Sequence, residues 1–134
     1  MSETSNTKVV QDAYAAFGRR DIPALLGALD PKVEWTAVVG SRTPTSGTRH
    51  GREGVTEFFQ QLAASLEFQS FEPQEFIAEG DKVVALGHYV GRSIATGRSF
   101  ESDWVMVFTV RNGLVTRFME FADSAGLNEA FAGA

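Results

Sequence analysis

"SFESDWVMVFTV", Ser99 to Val110, is rich in β-branched and aromatic residues and lies between the glycine-containing stretches "ATGR" and "RNG". Such a bounded run marks a β-strand. Alternation along a strand puts Glu101, Asp103, Val105, Val107 and Thr109 on one face, and Ser102, Trp104, Met106, Phe108 and Val110 on the other. Both faces are apolar in the middle, so the strand is expected to be buried on both sides. The smaller Val105 and Val107 suit the wall of a cavity, and Trp104, Met106 and Phe108 suit contact with a second copy of the chain. On that assignment Asp103 points inward, at the cavity mouth; the alternative is a rim carboxylate that caps a loop or pairs with an arginine such as Arg98.

The neighbouring segments extend the pattern. "QSFEPQEFIAEG", "DKVVALGHYVGRSI" and "LVTRFMEFA" are further strand candidates, joined by "EGDK", "ATGR" and "RNG". Short glycine-containing connections predict antiparallel hairpins. Upstream the period changes. From Asn6 to Arg19, the residues Val9, Val10, Ala13, Tyr14 and Phe17 form a helical stripe. Asp21 and Pro23 are start signals for a short second helix carrying Leu25, Leu26 and Leu29, stopped at Asp30–Pro31. "KVEWTAVVG" reads as an early strand and Ser41 to Gly51 as a long polar loop. A third helix is predicted from Arg52 to Leu66, with Val55, Phe58, Phe59 and Leu62 on its stripe. "SAGLNEAFAGA" closes the chain as a helical turn or tail.

Helices first and hairpin strands afterwards predict an α+β fold: three N-terminal helices packed on a curled, mainly antiparallel sheet. All 134 residues suit one domain. A curled sheet closed by helices is a cone with an open mouth, a natural site for a small molecule.

Bulk composition narrows the partners. A net charge of −5 with 12 basic residues argues against nucleic acid and anionic membrane surfaces. No run reaches the roughly 18 apolar residues of a membrane span, and "MSETSNTK" has no apolar signal region. The expected setting is the cytoplasm. With no cysteine, disulfides, thiolate metal sites and cysteine nucleophiles are excluded. Eleven phenylalanines are enough to build a core and to line a cavity.

The segments "VVQDAYAAF", "RRDIPALLGALDPKVEW", "HGREGVTEFF" and "RNGLVTRFMEFADSA", in this order and spacing, resemble the SnoaL-like branch of the nuclear transport factor 2-like superfamily, which includes ketosteroid isomerase. The resemblance covers almost the whole chain. It implies a cone-shaped α+β barrel with an internal pocket, usually a homodimer built sheet to sheet. It leaves function open, because one fold hosts many chemistries.

Comparison with ketosteroid isomerase places Asp103 where that family has an aspartic acid hydrogen-bonded to the developing oxyanion. There an apolar site keeps the acid protonated, so that it donates. The same comparison puts Trp35 where the family has its general base, and tryptophan shuttles no protons. The oxyanion-hole tyrosine is replaced by Ala13, with Tyr14 one position later, a rotation of about 100° on a helix. Ketosteroid isomerisation by that mechanism is therefore disfavoured. The superfamily's epoxide hydrolases carry Arg-x-Asp on a strand. Here that spacing occurs only at Arg19 and Asp21, between helices, which disfavours that activity too.

Two other ionisable residues are candidates. Glu120 lies in a run of Phe and Met, where a carboxylate is costly unless paired or protonated. It is either a general base in the cone or the partner of an arginine. His88 shares a strand face with Val84, Leu86 and Val90, as a structural residue or as an acid–base partner near neutral pH. Tyr14, Phe17, Trp35, Phe59, Val105 and Phe118 are candidates for substrate contacts, or for core. Asp123 is expected to cap the C-terminal turn.

No histidine spacing makes a metal site, no nucleophile elbow or phosphate loop is present, and no cofactor is called for. Two functions follow as expectations. One is a cofactor-free isomerase, cyclase or dehydratase of an apolar carbonyl-containing substrate, using Asp103, Glu120 and His88. The other is a ligand-binding or dimerisation module without chemistry.

Overall fold

A computed structural model describes residues 2–133; Met1 and Ala134, the ends of the expected domain and tail, lie outside them. The elements in chain order are α1 (Glu3–Gly18), α2 (Ile22–Gly27), β1 (Leu29–Ala37), β2 (Gly47–His50), α3 (Gly51–Ser65), β3 (Leu66–Glu79), β4 (Lys82–Ser93), β5 (Ser99–Arg111), β6 (Leu114–Phe121) and α4 (Ser124–Phe131). The strands form one sheet in the order β2-β1-β6-β5-β4-β3. Every pairing is antiparallel except β1 with β6. This is the α+β cone expected from the sequence, with a curled, unclosed sheet. Three elements differ: the polar loop contains the short strand β2, the tail contains the full helix α4, and α2 ends at Gly27, so that Leu29, expected on that helix, opens β1 instead.

Local chemistry sets the boundaries. The Ser2 hydroxyl accepts from the Ser5 amide and caps α1. Past Gly18 the chain turns through Arg20, whose φ of 59° is left-handed. There the Arg20 and Asp21 amides reach back to the Phe17 and Ala16 carbonyls, closing the helix in a Schellman-type turn. Asp21 Oδ1 accepts from the Ala24 amide at 3.2 Å and starts α2, with Pro23 in its first turn. Asp123 caps α4, accepting from the Gly126 amide at 3.0 Å. The β5–β6 turn uses Asn112 and Gly113 at φ 53° and 77°, as a tight hairpin requires.

The sheet curls where extra residues interrupt its ladders. Register shifts occur in β3 between Phe68 and Ser70 and again between Pro73 and Glu75. Such bulges bend a strand and raise its twist. Pro73 is tolerated because β3 is an edge strand and the bulge removes the need for its missing N–H.

The two faces of β5 are the reverse of the expected assignment. Trp104, Met106 and Phe108 are buried beneath the helices, with exposures of 1%, 5% and 4%. The Tyr14 ring of α1 lies 5.9 Å from Trp104 and 5.7 Å from Phe108, centroid to centroid. Asp103, Val105 and Val107 lie on the outer face instead. The reason is volume. Helices stand away from the sheet they cover, and large rings fill that gap. Strand β4 makes room with glycine: a Cβ on Gly91 would stand 2.5 Å from the Phe100 ring, and one on Gly87 would collide with Trp104 and with the Glu72 carbonyl. Trp104, Met106 and Phe108 are therefore core, and the surface left for a partner carries Val105 and Val107.

Candidate functional site

Between the helices and the inner face of the sheet lies a cavity of about 70 Å³. Helix α1 contributes Tyr14 and Phe17, α3 contributes Phe58 and Phe59, β1 contributes Trp35, and β6 contributes Phe118 and Glu120. Tyr89 enters from β4, and Met106 and Phe108 from β5. Trp35 and Phe118 are direct neighbours across the parallel β1–β6 pair, which stacks their rings 3.9 Å apart at 20°.

Glu120 is the acid of this cavity. Strand parity on β6 brings Phe118 and Glu120 to the same inner face, so the carboxyl is carried into an aromatic enclosure. Its exposure is 7%. The Tyr89 hydroxyl donates to Glu120 Oε2 at 2.9 Å. Burial pushes the Glu120 carboxyl up to about 7, while the Tyr89 hydrogen bond pulls it the other way. Burial, and then the nearby Glu120 charge, raise both Tyr14 and Tyr89 well above ordinary phenols. Among the described residues the Tyr14 hydroxyl donates only to the thioether Sδ of Met106, at 3.0 Å, a weak acceptor. Trp35 carries a buried Nε1–H with no partner among the described residues. A buried carboxyl, its pKa pushed up by burial, thus lines one cavity with two phenols and an indole.

A larger groove, of about 740 Å³, runs along the C-terminal end of α1, α3 and β3. Tyr14, Phe17, Phe59, Leu62, Phe68 and Phe71 line both spaces, so the groove and the cavity adjoin across these side chains. Arg20, Glu67, Gln69 and Ser70 give it a polar rim.

The structure brings Glu120, Tyr14, Phe17, Trp35, Phe59 and Phe118 to the cavity. It does not bring Asp103, His88 or Val105 there. Asp103 and His88 are paired across β5 and β4 on the outer face, where the Asp103 side chain is 94% exposed. The His88 ring bridges two carboxylates, with Nδ1 2.9 Å from Asp103 Oδ1 and Nε2 2.8 Å from Glu101 Oε2. Those hydrogen bonds, Asp103's first, raise the pKa of the imidazole. Placing Asp103 inward followed from the reversed face of β5, and His88 follows it by register. Tyr89 was missed. Its signal was the alternation Gly87, Tyr89, Gly91, small residues flanking one large one on a single face.

The model of the SnoaL-like domain matches residues 10–118. The chain belongs to the SnoaL-like family. In this SnoaL-like protein the cavity acid comes from β6, and β1 supplies Trp35. Solved structures agree over nearly full length. An NTF2-like protein from Burkholderia xenovorans LB400 is 36% identical, with 98% of each chain covered and a TM-score of 0.90. An NTF2-like protein of unknown function from Burkholderia pseudomallei K96243 is 33% identical, covering 99% of this chain and 100% of its own, with a TM-score of 0.87. TerC, co-crystallised with polyporic acid, is 30% identical over 95% of this chain and 98% of its own, with a TM-score of 0.81. A search of curated proteins returned no match.

Proposed function

We propose that this SnoaL-like protein is a cofactor-free acid–base catalyst acting on a small apolar molecule that carries a carbonyl group, with Glu120 as the proton-transferring residue. One observation carries this: a carboxyl 7% exposed among aromatic rings, held by Tyr89 and titrating near 7. That pKa suits a general base at physiological pH. Ionised Glu120 removes the proton from the carbon beside the carbonyl, the C–H electron pair forms the C=C bond of an enolate, and the carbonyl π pair moves onto the oxygen. The Tyr14 hydroxyl, held only by the weak acceptor Met106 Sδ, is the candidate donor for that oxygen. Returning the proton at another carbon gives an isomerase; expelling a leaving group gives a dehydratase; attack on a second carbonyl gives a cyclase. The cavity, about 70 Å³, holds only the reacting end, and the rest of the substrate lies in the groove.

The experiment is deuterium exchange. A panel of aryl ketones is incubated with the protein in heavy water and followed by proton NMR. Loss of the α-proton signal with the wild type, abolished by Glu120→Gln, is the expected result. Tight binding without exchange would sink the catalytic reading and leave a ligand-binding module. That second reading has its own support, since Glu120 is the one carboxyl or imidazole among the residues lining the cavity. Polyporic acid, the compound in the TerC crystals, is the first probe for binding.

We further propose that the protein is a homodimer joined through the outer sheet face. Leu86, Val105 and Phe121 lie side by side across β4, β5 and β6, and Val84, Val107 and Met119 form the next row. Ile77, 57% exposed, extends that second row, and Phe121 is 40% exposed. Asp103 and Glu101, bridged by His88, lie beyond one row; beyond the other, Lys82 stands beside Glu79 and Arg117 is paired with Glu34. A two-fold axis along the rows would lay the apolar rows of the two copies against each other.

A further inference from the structure

We propose that Arg20 is the anion-reading residue of the groove, so that the ligand is an amphipathic organic anion: an apolar body in the aromatic channel and a carboxylate or sulfonate at the mouth. This rests on the cavity reading above and names its ligand class.

The groove is apolar except at its rim, and only Arg20 and Glu67 among its lining residues bear charge. Glu67 is already neutralised by Arg92, 3.1 Å away. Arg20 has no side-chain hydrogen bond or ion pair among the described residues, although its neighbour Arg19 is engaged with Asp21 at 3.7 Å. One exposed cation without an ion-pair partner among the described residues therefore stands at the rim of this groove, in a chain whose net charge is −5. The surrounding field disfavours anions, which leaves this guanidinium as the local feature that would select one.

The backbone at Arg20 points the same way. Its φ of 59° is the left-handed conformation at the helix end, where glycine is the favoured residue. An arginine there gives up stability that glycine would supply. Side chains kept at such positions are candidates for function.

Two probes share one ring skeleton: N-phenyl-1-naphthylamine is neutral, and 8-anilinonaphthalene-1-sulfonate adds a sulfonate. Their fluorescence on titration with the protein reads both affinities. The wild type is expected to favour the sulfonate probe, and Arg20→Gln to weaken it by about tenfold while leaving the neutral probe unchanged. Arg20→Gly fits the backbone, so its melting temperature is expected to equal or exceed that of the wild type while the same preference is lost. Arg20→Lys should retain part of it. Amide shifts at Gly18, Arg20 and Ser70 would locate the sulfonate probe in the groove. An unchanged preference in Arg20→Gln, or shifts confined to the outer sheet face, would overturn the proposal and leave the cavity reading intact. If neither probe binds the wild type, the cavity reading fails and this proposal with it.

Discussion

Glu120 decides what the cavity can do, and its titration leaves a mark on stability. An acid whose pKa is higher in the folded protein binds its proton more tightly there than in the unfolded chain. The stability it contributes is complete below about 4.5, falls as pH rises, and is gone above about 7. A shift of that size corresponds to roughly 3 kcal/mol. Glu120→Gln keeps an acceptor for Tyr89 and carries no charge. The variant is therefore expected to be more stable than the wild type at about pH 8 and to lose that advantage towards about pH 5, measured by urea unfolding at both values. An advantage independent of pH would mean that Glu120 titrates normally. Tyr89→Phe removes the one hydrogen bond that favours the charged carboxylate. The Glu120 midpoint is then expected to rise further, followed by carboxyl carbon NMR, and an unchanged midpoint would mean that the bond is not formed in solution. At this scale the sequence was half legible. Glu120 announced itself as an acid among Phe and Met, because burying a bare carboxylate is costly wherever the strand lies. Asp103 did not declare its side, because alternation gives two faces without saying which one meets the helices.

Elements were easier to read than faces. Helical stripes, the Asp21 and Asp123 caps and the "RNG" turn all rest on local chemistry, and each appears close to where that chemistry put it. Strand β2 was hidden inside a polar loop because its four residues, Gly47–His50, carry no apolar alternation and pair only with β1. The face of β5 depended on β4, where Gly87 and Gly91 leave the space that Trp104 and Phe100 occupy. That dependence gives a prediction at the scale of two strands. Gly91→Ala would drive a methyl group into the Phe100 ring and towards the Glu67 carbonyl, and overpacking of this kind costs about 1–3 kcal/mol. The expected result is a lower urea midpoint. Gly97→Ala is a poor control, since its φ of 74° adds backbone strain of its own; Gly18→Ala, at a helix end with open space around its Cβ position, is the control that should leave stability nearly unchanged or improved. Equal midpoints for Gly91→Ala and the wild type would show that the Phe100 ring moves aside at no cost.

For the whole molecule, reversing the β5 faces moves the expected partner surface without removing it. Placing the large residues inside leaves a smaller apolar patch outside, made of valine, leucine, isoleucine, methionine and one phenylalanine. Such a patch is costly to leave in water, and a copy turned through 180° would cover it. Size-exclusion chromatography with light scattering should therefore give a mass twice the 14.6 kDa of one chain. Val105→Glu puts a carboxylate at the centre of the patch, between Leu86 and Phe121, and is expected to give monomers that remain folded by circular dichroism, since Val105 is only half-buried within one copy. Trp104→Ala tests the opposite assignment. If Trp104 is core, its loss should unfold the chain or lower its melting temperature sharply, by the several kcal/mol of a deleted buried aromatic, before any change of mass. A stable Trp104→Ala monomer would restore Trp104 to an interface. A stable, fully dimeric Val105→Glu protein would remove the outer face from consideration, and with it the two-fold pairing of its apolar rows.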